Sequence, residues 1–208
     1  MRVLVSGFRP FGGDDVNPSE AVLDFLPAEA PATMALATTV LPVRFADAWP
    51  RLLEAVTGHG PDLVLALGQA GGATGVVVEQ IAVNLDGPDD PDEDGVRPVD
   101  EPIVAGAPLA YASGIPVRDL VARLRGEGVV ARHSRSAGAH LCNHVFYRLC
   151  HLAATERPGL AVGFVHLPYL PGQVLDGSDP SVPVEVQARS VGRALRLLPR
   201  ITGRAADG

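Results

Sequence analysis

Short β-branched and apolar runs alternate with amphipathic stretches along most of the chain. RVLVSG (2–7), TMALATTVL (33–41), DLVLALG (62–68), GVVARHS (128–134) and LAVGFVHLP (160–168) read as strands, several apolar on both faces as in a sheet covered by helices. Helical patterns lie between them. Asn17, Pro18 and Glu20 supply an N-cap, a first-turn proline and a capping-box acid ahead of AVLDFL, and Pro116 opens VRDLVARL in a similar way. Further helices are expected over 44–57, 142–155 and 183–198. The alternation predicts an α/β fold, a single-domain three-layer α/β/α arrangement over 1–208 with a mostly parallel twisted sheet. The tail 202–208, TGRAADG, is expected to fray.

In such sheets functional loops collect at the carboxyl ends of the strands, here 7–17, 68–79 and the segment after His166. The stretch 86–102 carries eight acids between Asp86 and Glu101 together with several prolines, and reads as one long exposed loop. Within it Asp90, Asp92, Asp94, Gly95 and Glu101 stand at the spacing of a calcium-binding EF-hand loop. The flanks AVNLDGP and PIVAGAP are turn-rich rather than helical, and Arg97 and Pro98 occupy positions where such a loop wants an apolar residue and a ligand. The calcium reading is therefore weak.

Charge and composition narrow the classes further. A formal net charge of -7 with a pI near 5.3 would not steer the surface to nucleic acid or an anionic membrane. All 17 basic residues are arginines, which excludes P-loop, Schiff-base and pyridoxal-phosphate lysines, so GQAGGATG after LVLALG is not a Walker A loop. No apolar run approaches the ~20 residues of a membrane span, and the N-terminus lacks a signal-peptide pattern, so a cytoplasmic location is expected. Cys142 and Cys150, if both lie on one helix, stand about 12 Å apart, beyond disulfide reach, and should stay reduced.

Cys142 falls where a small-residue turn enters a helical pattern, and the free N–H groups and dipole of a helix start favour a thiolate and can hold an oxyanion. From this helix alone, burial as a small hydrophobe is the commoner fate of a cysteine. His166 ends an apolar strand, the place where a sheet presents a side chain to a site. Glu79, inside GVVVEQIAVNL, is a carboxylate costly to bury unless something pairs with it. Together they make a nucleophile, a base and an orienting acid. Phe8 and Phe11 in GFRPFGG are either a staple to the core or the walls of a pocket for a flat, uncharged group.

GFRPFGG with NPS (17–19), PDLVLALGQAGG (61–72), EQIAVNL (79–85), SAGAHLCNH (136–144) and GFVHLPYLP (163–171) resemble, in order and over nearly the whole chain, the pyrrolidone carboxyl peptidases, the pyroglutamyl peptidase I family of cysteine peptidases. The resemblance implies Cys142 as nucleophile, His166 as base and then acid, and Glu79 as its partner. It implies Phe8, Phe11, Gln69 and Leu141 as the surround of the pyroglutamyl ring, and a substrate that is a peptide with N-terminal pyroglutamate. Neither metal nor cofactor is implied, and the assembly is expected to be a homotetramer in which the apolar segment 106–116 is covered. Three positions depart from the family pattern: Gln80 for a basic residue, His140 for an aromatic, and Asp89 for an arginine, with Arg97 or Arg9 as possible substitutes. Rival readings are a cysteine amidohydrolase for another N-acyl or lactam substrate, a weakened relative that binds without turnover, and a metal protein using the acidic loop or His140, Cys142 and His144.

Overall fold

A computed structural model describes residues 1–174 and 177–201, so the expected fraying of 202–208 lies outside the described residues. Its centre is a six-stranded sheet formed by β1 (Arg2–Phe8), β2 (Ala35–Leu41), β3 (Leu63–Gln69), β4 (Val76–Glu79), β7 (Ala131–Ser134) and β8 (Ala161–Leu167), in the order β2-β1-β3-β8-β4-β7. A two-stranded sheet pairs β5 (Ile81–Val83) with β6 (Ala110–Ala112).

Helices cover both faces. On one, α3 (Phe45–His59) and α5 (Leu141–Thr155) pack Leu52, Val56, Val145 and Phe146 against Leu4, Val64, Val162 and Phe164 of the sheet. On the other, α4 (Val117–Gly126) and α6 (Val184–Ile201) pack Leu120, Leu124, Val191 and Leu195 against Val3, Leu65 and Val165. Residues of even and odd number on β3 and β8 thus go to opposite layers, which accounts for their apolar runs. A mostly parallel α/β/α sheet is what the alternation predicts, and no described helix is long and apolar enough to cross a membrane.

The mostly parallel sheet holds one antiparallel pair: β4 runs antiparallel to β8 and parallel to β7, so the central and edge portions point opposite ways. Other expectations need correction. The expected functional loop 68–79 is strand over half its length, since β3 extends to Gln69 and β4 begins at Val76. The helix expected after Asn17 is broken into α1 (Pro18–Ala21), a single 3₁₀ turn and α2 (Leu26–Glu29), with Pro27 near the start of the second piece. Asn17 nevertheless caps α1 by accepting from the Ser19 N–H at 2.9 Å. Gly7 permits this crossing: a Cβ there would stand 2.2 Å from the Ser19 carbonyl oxygen.

The acidic loop is not uniformly exposed. Asp86 and Asp92 are buried, and the loop is pinched at its base by reciprocal backbone hydrogen bonds between Asp86 and Glu101. Asp92 accepts from the N–H groups of Asp94, Val96 and Phe45 at 2.8 to 2.9 Å, so one carboxylate both folds the loop and caps α3 from a distance. Its burial favours the neutral acid, yet these three backbone donors outweigh that and hold its pKa below the usual value.

Candidate active site

The sheet face that carries Val64, Ala66 and Gly68 on β3, and Val162, Phe164 and His166 on β8, is apolar until its carboxyl end. There Gly68 and His166 stand opposite each other in the parallel register, and His166 is also opposite Val77 of β4. Glu79, two residues further along β4, shares that face and lies diagonal to His166. His166 Nδ1 donates to Glu79 Oε1 at 2.8 Å, with Glu79 2% exposed. Burial of the glutamate is thereby explained, although its Oε2 has no hydrogen-bond partner among the described residues.

With Nδ1 so engaged, the other ring nitrogen turns to Cys142, the second residue of α5. Burial pulls the imidazole pKa down, but the charge of Cys142 and hydrogen bonds to Cys142 and Glu79 outweigh it and push the value up to about 9. Gly68 is what lets thiol and ring approach. A Cβ at this position would stand 2.7 Å from the Cys142 sulfur and 3.2 Å from His166 Cδ2. Phe164, its ring centroid 4.9 Å from that of His166, backs the imidazole. Cys150, two turns deeper, is buried, and burial pushes its thiol up to about 12. Both cysteines are free.

A cleft of about 930 Å³ opens over Cys142 and His166, walled by Phe11, Gln69, Val43, His140 and the loop 87–93. Beside the sulfur a small niche is lined by Phe8, Phe11, Val43, Gln69, His140 and Leu141. The structure therefore brings together Glu79, Cys142, His166, Phe8, Phe11, Gln69 and Leu141. Phe8 and Leu141 are almost wholly buried, whereas Phe11 is 38% exposed.

The departures from the family pattern fall in different places. Asp89 lies on the cleft wall, and its carbonyl accepts from Arg97 Nη1 at 3.3 Å, so Arg97 reaches the back of that loop rather than the thiol. His140, the N-cap residue of α5, lies against Phe45 at a centroid distance of 5.4 Å. Burial pulls its pKa below the ordinary value despite the charges of Asp92, Asp86 and Asp90. His144 turns away from Cys142. Its Nδ1 donates to Asp86 Oδ2 at 2.7 Å, and its Nε2 accepts from Arg148 Nε at 3.2 Å, so both nitrogens are taken. No group of three metal-ligating side chains stands together among the described residues.

Sequence reasoning missed Gly68, Val43 and the Asp86–His144–Arg148 network. A glycine closing an apolar strand one residue before a polar loop was the available signal for the first.

A thiol at a helix start, an imidazole at a strand end and a buried carboxylate behind it, all on an α/β sheet, make up the arrangement of a cysteine-dependent hydrolase. The family model for pyroglutamyl peptidase matches residues 1–199, and the chain belongs to that family. It is 47% identical over 194 residues to the pyrrolidone-carboxylate peptidase of Streptomyces coelicolor, covering 93% of this chain and 89% of that protein. Among solved structures, pyroglutamyl peptidase I of Bacillus amyloliquefaciens superposes with a TM-score of 0.87 at 38% identity, covering 93% of this chain and 94% of that one. A variant of the pyrrolidone carboxyl peptidase of Pyrococcus furiosus superposes with a TM-score of 0.91 at 36% identity, covering 96% and 99%.

Proposed function

We propose that this protein removes L-pyroglutamate from the N-terminus of peptides through a thioester on Cys142. The observation that carries this reading is the contact series Glu79, His166, Cys142 beside a small niche lined by Phe8, Phe11 and Leu141. The Cys142 thiolate attacks the carbonyl carbon of the pyroglutamyl residue. Among the described residues no side chain caps α5, which leaves its first-turn N–H groups to receive the oxyanion. The His166 imidazolium then gives its proton to the departing amine as the C–N bond breaks. Neutral His166 takes a proton from water, whose oxygen displaces the thiolate and releases pyroglutamate. Glu79 keeps Nδ1–H in place and balances the imidazolium charge.

The ring is a neutral lactam, so Phe8, Phe11 and Leu141 supply its apolar walls and Gln69 a hydrogen bond, while the leaving peptide lies along the cleft beside loop 87–93. A cytoplasmic homotetramer belongs to the same reading. Leu109, 88% exposed in the 106–116 segment, is apolar surface that a neighbouring subunit would cover.

Release of a chromogenic amine from a pyroglutamyl amide tests the activity. Wild type is expected to turn over and Cys142→Ala to lose at least about 10⁴-fold in kcat. No turnover by reduced wild type would remove the peptidase reading, and equal turnover by both would remove Cys142 as nucleophile.

A further inference from the structure

Two loops and the end of β3, at the carboxyl end of the sheet, are tied to one side chain that lies outside the cleft. Gln173, in the short 3₁₀ turn Pro171–Gln173 after β8, accepts the Leu170 N–H on its Oε1 at 2.9 Å. Its Nε2 stands 2.9 Å from Asp14 Oδ2, 3.3 Å from the Val16 carbonyl and 2.9 Å from Gln69 Oε1. The orientation of this amide is over-determined. A backbone N–H can only donate, and a carbonyl or carboxylate oxygen can only accept, so Oε1 must face Leu170 and Nε2 must face Asp14 and Val16. The atom of Gln69 that meets Gln173 is then necessarily its oxygen. The Gln69 Nε2 makes no hydrogen bond within the described residues, and Gln69 lines both the cleft and the niche beside Cys142.

We infer that Gln173 is a positioning residue that locks the Gln69 carboxamide with its N–H face toward the niche, so that Gln69 donates to the carbonyl oxygen of the lactam ring. The assignment rests on the pyroglutamyl reading of the substrate. It gives the niche a defined polarity, a donor for the ring carbonyl rather than an acceptor for the ring N–H. It also makes that polarity depend on a residue that touches no substrate.

Gln173→Glu reverses the relay. The carboxylate still accepts from Leu170 but has no N–H for Gln69, whose amide turns to donate to it and presents oxygen to the niche. Loss of one hydrogen bond to the ring predicts a rise of about tenfold in KM for a pyroglutamyl amide, with a smaller change in kcat. The sharper readout is a pair of competitive ligands, γ-butyrolactam and its thiolactam, which share shape and N–H but differ in acceptor strength. Wild type is expected to prefer the oxygen compound, and Gln173→Glu to lose most of that preference. Parallel weakening of both ligands, with their ratio unchanged, would overturn the inference and leave Gln173 a loop staple. Gln173→Met, which lacks donor and charge, serves if the glutamate variant does not fold. The ligand ratio is read by calorimetry, so absence of wild-type turnover would count against the substrate reading alone, while an unchanged ratio counts against the relay.

Discussion

At the scale of single residues, the site depends on one side chain that is missing. Gly68 is not in a left-handed conformation and its φ makes no demand for glycine. Its role is to leave room where the sulfur and the imidazole edge converge. Gly68→Ala would push Cys142 Sγ from a 2.7 Å approach, and a displacement of that order should lower kcat/KM by about 10²-fold. Activity measured with circular dichroism alongside separates this from unfolding, and near-normal activity would show that the pair tolerates displacement. His166 makes a second residue-level demand. Its raised pKa keeps the ring protonated to about 9, so kcat/KM for an amide should fall on the alkaline side with a midpoint near 9. The sign for stability is the same: the contribution is complete below the ordinary value of 6.5 and is lost as pH rises through about 9. A pH profile already falling near 6.5 would contradict the ion pair.

Between elements, the acidic loop and α3 are joined by Asp92. What looks in sequence like the third position of a calcium loop is a carboxylate already taken by three backbone N–H groups, one of them at the start of a helix 47 positions away. Asp92→Ala should cost about 1–2 kcal/mol in a denaturant titration, as other cap removals do, and should weaken substrate binding because the loop walls the cleft. Its depressed pKa means that this contribution is present above the ordinary value of 3.8 and disappears as pH falls through the lower folded value. Unchanged stability would assign the fold of the loop to the Asp86 and Glu101 pinch alone.

Across the whole molecule, the parts legible in sequence were those with a long and consistent pattern. β1, β3, β8, α3, α5 and α6 fall within a few residues of expectation because the strands are largely apolar runs of strand length and the helices repeat apolar positions at three and four. β4 has only four residues and ends on a glutamate, so its pattern is too short to distinguish from a loop, and nothing in a strand's own residues states that it runs against its neighbour. β5 and β6 are three residues each, below the length at which alternation can be counted. The candidate site was legible as residue types, Glu79, Cys142 and His166, from a carboxylate in an apolar run, a thiol at a helix start and a polar end to an apolar strand, with the family resemblance joining the three. The hydrogen bond that orients Gln69 was not, since Gln173 reaches it across 104 positions.

The central claim is that the acyl group passes through Cys142. Quenching wild-type protein with acid during turnover of a reactive pyroglutamyl ester, followed by peptide mass spectrometry, tests it directly. A pyroglutamyl adduct on the peptide carrying Cys142, absent from Cys142→Ala and absent from the deeply buried Cys150, is the predicted result. Turnover with no adduct on Cys142, or an adduct on another residue, would contradict the account.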